Sequence, residues 1–218
     1  CIRDREYTFC HQLAKSPHEP KLFIAPGNAG TAAFGTNLAV LPTDFEGLKQ
    51  AAITHQIELV IVGPEVPLVE GVVDFFTNDQ ALSHIPVIGP SKQGAELEGS
   101  KEFAKAFMQR HKIPTAAYQS FTKDTLAEGL TYLETVVPPY VLKADGLAAG
   151  KGVVILNELA DAKAELTAML ADAKFGEASQ KVVIEEFLDG IELSCFILTD
   201  GKSYKILPMA KDYKRIGE

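Results

Sequence analysis

The sequence has few of the residues and patterns that mark membrane, disulfide-rich or metal-binding proteins. No apolar run approaches the roughly 18 to 20 residues that a membrane-spanning helix needs. The three cysteines, Cys1, Cys10 and Cys195, are odd in number and widely spaced, so they predict neither a disulfide framework nor a zinc site. The five histidines also lack the spacing of metal ligands. These absences argue against a membrane protein, predict no metal-binding residue and favour a reducing, cytoplasmic location.

Positive charge is also scarce. The sequence has 21 lysines and arginines against 29 acidic residues, a net charge of −8, which argues against a nucleic-acid partner because no basic face compensates. Cys1 to Asp4 is not followed by the apolar core of a signal peptide, and the chain does not begin with methionine. Its 218 residues leave room for one large or two small domains, and we expect them to be part of a longer protein.

The first half of the chain alternates between helices and short apolar strands. The strand predicted at residues 58–62 is of the apolar kind that is buried on both faces of a parallel sheet. This alternation predicts a Rossmann-like, doubly wound α/β domain over residues 1–98. The predicted helices cover residues 5–16, 44–56 and 68–76, and the predicted strands cover residues 21–25, 58–62 and 86–88.

Ligands of such domains bind beyond the carboxyl ends of the strands. The turns at 26–31, 63–67 and 89–91 are expected there, although their glycines are better explained as ordinary turn residues. Glu65 is more informative, because a carboxylate that directly follows a buried strand is a candidate binding group.

The second half predicts a mixed α+β architecture over residues 115–218. Ser100 is a good N-cap for a helix at 101–111, in which Phe103 and Phe107 contribute to an apolar stripe. Further helices are predicted at 123–135 and 157–173, strands at 116–121, 140–143, 153–156 and 181–187, and a hairpin that pairs 192–198 with 203–209.

The most informative segment is the glycine- and alanine-rich loop between the strands at 140–143 and 153–156. Its small residues allow backbone N–H groups to approach an anion, and Lys143 and Lys151 bracket it, so the pattern indicates a lid over a polyphosphate. No Ser or Thr follows Gly152 and no helix follows the loop, which excludes the mononucleotide and dinucleotide glycine motifs. A mobile hairpin with solvated lysines is the alternative.

A second motif is the apolar strand that leads into the acidic segment 185–192. One backbone donor and one acceptor beside an apolar wall suit an adenine edge, and a carboxylate suits the ribose hydroxyls. The alternative is a strand end whose acidic residues serve solubility. The lysine loop some thirty residues earlier favours the nucleoside interpretation.

With these motifs, residues 1–218 resemble the N-terminal half of the phosphoribosylamine–glycine ligase family, which belongs to the ATP-grasp superfamily. The lysine loop and the acidic strand are typical of the superfamily. The Pro-Gly-Asn and Gly-Pro-Glu turns are typical of this family. The matching segments are 25–31 (Ala-Pro-Gly-Asn-Ala-Gly-Thr), 62–65 (Val-Gly-Pro-Glu) with Pro67-Leu68, 97–101 (Leu-Glu-Gly-Ser-Lys) with Phe103-Ala104-Lys105, 143–153 and 185–190.

The resemblance implies a fold and a division into domains. Residues 1–98 would form a pre-ATP-grasp N-terminal domain that lacks its first strand, and 99–116 a linker helix. Residues 117–190 would form the α+β small lobe of the ATP-grasp fold, and 191–218 the truncated start of its large lobe.

The resemblance also implies roles for individual residues. Lys101 and Lys143 would hold the ATP phosphates and serve catalysis, and the loop 145–152 would close over them. The nucleotide-binding set would comprise Lys101, Lys143, Gly146, Gly150, Lys151, Gly152, Glu185, Glu186, Phe187, Leu188 and Glu192, with the backbone of Glu185 and Phe187 at the adenine and Glu192 at the ribose. The phosphoribosylamine side would comprise Asn28, Gly30, Glu65, Leu68, Asp212, Lys214 and Arg215.

Two features depart from the family pattern. The family opens with a strand and a Gly-Ser-Gly-Gly-Arg-Glu-His turn, of which only Arg5 and Glu6 are matched, so the glycine cradle for the substrate phosphate is expected to be missing. The glutamate and asparagine that coordinate magnesium in the family are expected after residue 218, so no metal ligand is named.

The resemblance implies an enzyme that ligates glycine to 5-phosphoribosylamine through a glycyl phosphate, using ATP and Mg²⁺ (or Mn²⁺), in de novo purine biosynthesis. Its expected partners are these small molecules, and a monomer is expected. Another ATP-grasp carboxylate–amine ligase is one alternative. A nucleotide-binding fragment without turnover is the other, and we expect it for the 218 residues alone.

Overall fold

A computed structural model describes residues 4–147, 152–211 and 213. The first half has the α/β alternation that the sequence predicts, with short strands that form two separate parallel pairs, β1 with β2 and β3 with β4. Its elements are α1 (Asp4–Leu13), β1 (Leu22–Ile24), β2 (Gly35–Asn37), α2 (Phe45–Thr54), β3 (Val60–Ile61), α3 (Glu65–Glu70), α4 (Val72–Asn78), β4 (Val87–Ile88) and α5 (Lys92–Gly99).

The expectation of a strand at 58–62 that is buried on both faces is wrong. The strand β3 is only two residues long, and the flanking Leu59 and its own Ile61 are 48% and 36% exposed. Within the described residues, β3 pairs with β4 alone. The core of this half lies instead between α2, α4 and the segment that precedes β4, where Ala52, Phe76 and Leu82 are buried.

Glycine and serine explain two further differences. The helix predicted at 68–76 is two helices, because Gly71 adopts the left-handed conformation (φ +99°) that ends α3 and precedes α4. Helix α5 was not predicted, and it begins where the Ser91 hydroxyl accepts a hydrogen bond from the N–H of Gly94 (3.3 Å). Strand β2 also escaped prediction.

The second half is built on one antiparallel sheet in the order β5-β8-β6-β7, with α7 and α8 packed on one face. The core between them contains Phe121, Leu142, Leu166 and Ile184. The elements are α6 (Lys101–Arg110), β5 (Tyr118–Thr122), α7 (Leu126–Leu133), β6 (Tyr140–Ala144), β7 (Val153–Leu156), α8 (Leu159–Ala171), β8 (Lys181–Glu185), β9 (Leu193–Ser194), β10 (Ile197–Thr199), β11 (Tyr204–Ile206) and β12 (Ala210–Lys211).

The predicted hairpin near the end of the chain is present. Strand β10 pairs with β11, and β9 pairs with β12, around a turn in which the Asp200 carboxylate accepts the N–H groups of Lys202 and Ser203. In the part of the chain that the structure describes, no helix is both long and apolar enough to span a bilayer.

The register of the central sheet brings two chemically important side chains to the same face. Side chains alternate along a strand, so Leu142 and Ile184 point to the helices while Lys143 and Glu185 point away from them. Val141 is paired with Glu185 and Lys143 with Val183, which makes Lys143 and Glu185 diagonal neighbours on adjacent antiparallel strands. Long side chains in that relation can touch.

Candidate functional site

A cavity of about 870 Å³ lies against the sheet face that carries Lys143 and Glu185. Helices α3, α5 and α6 form its other side, and Leu97, Met108, Val153 and Leu188 give it an apolar lining. An apolar pocket of this size with a few convergent polar groups is typical of a small-molecule site. Its charged lining residues are Glu65, Glu98, Lys101, Lys105, Lys143 and Glu185.

The glycine loop is fastened to the start of α6. The Asp145 carboxylate accepts hydrogen bonds from the Ser100 hydroxyl (3.1 Å) and from the backbone N–H of Glu102 (2.7 Å). The Ser100 hydroxyl in turn caps the helix by accepting the N–H of Phe103 (3.1 Å). The described beginning of the loop is therefore held at the N-terminus of α6, beside Lys101.

The ammonium group of Lys101 lies between this loop and the cavity. Its Nζ donates to the carbonyl oxygens of Gly146 (3.2 Å) and Asp145 (3.4 Å). Burial lowers the pKa of Lys101 below its usual value; the nearby Lys143 cation adds to the lowering, and the carboxylates of Asp145, Glu98 and Glu185 oppose it. An anionic ligand at this point would favour the charged ammonium.

Glu185 is the centre of a buried charge cluster. Its Oε2 accepts a hydrogen bond from Lys143 Nζ at 2.9 Å and forms an ion pair with Lys105 Nζ at 3.1 Å. The Glu185 and Lys105 side chains are only 7% and 8% exposed, whereas that of Lys143 is 28% exposed and borders the cavity. Two lysines and one glutamate leave the cluster with one net positive charge, which favours an anionic ligand.

Known proteins resemble nearly the whole chain. The sequence model described as phosphoribosylglycinamide synthetase, ATP-grasp (A) domain, matches residues 99–218, and the one described as phosphoribosylglycinamide synthetase, N domain, matches residues 3–98. The chain belongs to the phosphoribosylglycinamide synthetase family.

Similar members of this synthetase family are bacterial phosphoribosylamine–glycine ligases. The chain is 48% identical to that of Pasteurella multocida over 216 residues and 47% identical to that of Escherichia coli over 218 residues. Each match covers 98% of this chain and 49% of the relative, so the chain spans about half the length of the curated relatives it matches.

Solved structures agree on the fold. The phosphoribosylamine–glycine ligase of Thermotoga maritima matches 97% of this chain and 48% of its own, with 34% identity and a TM-score of 0.75. An N5-carboxyaminoimidazole ribonucleotide synthetase, solved as an ADP complex, has a TM-score of 0.67 at 17% identity, which shows the fold alone. The predicted α/β, ATP-grasp fold class is thereby confirmed.

The synthetase motifs are only partly gathered in the cavity. Of the predicted nucleotide-binding residues, Lys101, Lys143, Gly152, Glu185 and Leu188 line it, and the Gly146 carbonyl contacts Lys101. Gly150 and Lys151 lie outside the described residues. The cavity therefore joins both predicted motifs, the lysine loop and the strand end, in one site.

Glu186, Phe187 and Glu192 do not line the cavity. Glu186 exchanges two hydrogen bonds with the backbone of Ala117, giving its N–H to the carbonyl (2.8 Å) and accepting the N–H on its carboxylate (3.1 Å). This side chain thus ties β8 to the start of β5. Glu192 is exposed in the segment before β9.

The described structure gives the residues predicted for phosphoribosylamine different surroundings. Glu65 borders the cavity, but Leu68 packs into the N-terminal core, where its Cδ2 comes so close to Gly89 that a Cβ there would lie 2.6 Å away. The Asn28 side chain is used within its own turn, accepting the N–H groups of Gly30 (2.8 Å) and Thr31 (3.1 Å). Asp212, Lys214 and Arg215 lie outside the described residues.

Arg5, one of the two residues that match the opening motif of the family, lies close to Glu65, which borders the cavity. Its Nη1 donates to the Gly63 carbonyl (3.1 Å) and lies 3.7 Å from the Glu65 carboxylate. Helix α1 is thereby attached to the turn that follows β3.

Lys105 is the site residue that sequence reasoning missed as a functional group. A lysine four residues after Lys101 on a helix lies on the same face, so the spacing was a usable signal. The partner Glu185 is 80 positions away in the sequence, and nothing local predicts that the two meet.

Proposed function

We propose that the cavity binds ATP, with its phosphates at Lys101 and Lys143 and its adenine at the end of β8. The observation that carries this proposal is the convergence of the two lysines on one cavity beside Glu185 and Leu188. Lysine ammonium groups suit phosphate oxygens as point charges, and the apolar lining suits a base. We further propose that the glycine loop from Asp145 to Gly152 covers the phosphates.

For the complete protein we propose ligation of glycine to 5-phosphoribosylamine. The γ-phosphoryl group of ATP passes to a carboxylate oxygen of glycine, giving glycyl phosphate and ADP. The amine of phosphoribosylamine attacks the carbonyl carbon, and phosphate leaves as the amide forms. Such phosphoryl transfer requires alignment and charge neutralisation, which Lys101 and Lys143 would supply, and exclusion of water from the acyl phosphate, which the loop would supply.

The domain division and the metal belong to the same proposal. Residues 1–98 serve the phosphoribosylamine side, α6 in the segment 99–116 supplies Lys101, residues 117–190 bind the nucleotide, and 191–218 begin the large lobe. Among the described residues no three His, Cys, Asp or Glu side chains are placed to hold a metal, and we assign none of them to Mg²⁺. A bound Mg²⁺ would neutralise phosphate charge. A monomer in the cytoplasm stays a prediction.

The complete protein that carries these 218 residues should release ADP only when glycine and phosphoribosylamine are both present. A coupled ADP assay with each substrate omitted in turn measures this dependence. Consumption of ATP with bicarbonate or D-alanine, and never with glycine plus phosphoribosylamine, would show that another carboxylate–amine ligase is the correct assignment.

The second candidate function, nucleotide binding without turnover, applies to the 218 residues alone. It is favoured because the chain spans about half the length of its relatives. ADP release by the isolated chain at the rate of the complete protein would refute it.

A further inference from the structure

We propose that Lys105 is a positioning residue that fixes Lys143 for polyphosphate binding by acting through Glu185. The inference rests on the proposed function, because it assumes that phosphates are what Lys143 binds. No motif assigned a role to Lys105. It lies in the middle of α6, and among the described residues it is the one buried lysine (6% exposed).

The contacts of Lys105 indicate that it does not itself serve a ligand. Its Nζ donates hydrogen bonds to the Thr115 hydroxyl (2.9 Å) and the Ala116 carbonyl (3.2 Å), and it forms an ion pair with Glu185 Oε2 (3.1 Å). An ammonium group has three N–H donors, and two of them are taken by protein oxygens while the Glu185 carboxylate compensates the charge. The Lys105 ammonium is therefore engaged by protein groups, although it borders the cavity.

Lys143 differs in this respect. Its one described acceptor is Glu185 Oε2 at 2.9 Å, which occupies a single donor and leaves two for a ligand in the cavity. Because both lysines share one carboxylate oxygen, Lys105 holds the carboxylate that orients Lys143. Without Lys105, Glu185 would be free to rotate and would bind Lys143 as its one remaining cation, so the ammonium would lose its fixed position.

The effect should be specific for phosphates. The proposed adenine contacts come from the backbone of β8 and the residues after it, which the sheet holds independently of Lys105. Lys105→Met should therefore weaken ATP binding about tenfold, the coupling expected within one charge network, and change AMP binding much less. A purely structural role for Lys105 would weaken both nucleotides together.

The experiment measures the dissociation constants of ATP and AMP by calorimetry for the 218-residue chain, Lys105→Met and Lys163→Met. Lys163 on α8 is the control, because its ion pair with Glu134 at the end of α7 lies outside the cavity lining. The proposal predicts that the dissociation constant of AMP divided by that of ATP falls severalfold or more in Lys105→Met. The same ratio should be unchanged in Lys163→Met. An unchanged ratio in both would overturn it. Should Lys105→Met fail to fold, Lys105→Gln removes the charge and keeps an amide donor. A fall in the ratio would again support the proposal, and an unchanged ratio would overturn it.

A double-mutant comparison tests the route through Glu185. In a Glu185→Gln background, adding Lys105→Met should change the ratio of dissociation constants by less than about twofold, because the carboxylate through which Lys105 acts is already absent. Independent effects would instead add. A full tenfold loss in that background would show that Lys105 acts on ATP directly and would refute the positioning role. If the unchanged chain binds neither nucleotide, the proposed function itself fails. If the unchanged chain binds ATP and Lys105→Met keeps the same ratio of dissociation constants, only the positioning role of Lys105 fails.

Discussion

Lys143→Met should lower the ATP-dependent turnover of the complete protein on the order of 10²- to 10³-fold, as does the loss of a donor aimed at developing charge. Lys143 points into the cavity from the central sheet, and its ammonium is held by Glu185. The substitution should leave the fold intact, because Glu185 keeps its buried pair with Lys105. Turnover and thermal unfolding measured on the same preparation separate the two effects.

Lys174→Met provides the matched control for Lys143→Met. Lys174 also pairs with a glutamate, Glu165 at 2.8 Å, but the pair lies outside the cavity lining and the lysine is 44% exposed. Exposed pairs contribute about 0 to 1 kcal/mol to stability, and this one should not affect turnover. Equal turnover for Lys143→Met and Lys174→Met would contradict the assignment of Lys143 to the phosphates.

Glu185→Ala should lower the free energy of unfolding by about 3–5 kcal/mol, the usual cost of removing one partner of a buried ion pair. The variant would leave Lys105, whose side chain is 8% exposed, and Lys143 close together with no carboxylate between them. Urea unfolding at neutral pH measures the loss.

Two comparisons make the stability test decisive. Glu134→Ala removes the 56% exposed partner of Lys163 and should cost about 1 kcal/mol or less. Adding Lys105→Met to Glu185→Ala should recover part of the loss, since it removes the uncompensated buried charge. A cost for Glu185→Ala no larger than that for Glu134→Ala would mean that the cluster does not stabilise the fold.

Local sequence signals predicted the parts of the fold that local physics determines. The small residues of the loop, the N-cap Ser100 and the turn at Asp200 and Gly201 act over a few residues, and the structure shows the cap and the turn as expected. Gly71 also acts over only a few residues, but a single glycine in a helical pattern does not reveal whether the chain will adopt positive φ there.

The charge cluster could not be predicted because it depends on strand order and register. Strand β8 lies between β5 and β6, although β7 precedes it in the chain, and only this order places Glu185 diagonally from Lys143. Periodicity predicts which face a side chain occupies but not which strand lies next to it. The misjudged burial of β3 has the same origin, since an apolar pattern does not reveal which neighbours cover it.

The most direct test of the central claim is to map ATP binding by amide chemical shifts in the isotope-labelled 218-residue chain. The claim predicts saturable shifts concentrated at the start of α6 near Lys101, at Lys143 and in the loop that follows it, and at 185–188, with AMP affecting the last of these most. Titration to millimolar ATP without saturable shifts, or with shifts confined to residues outside the cavity, would contradict it.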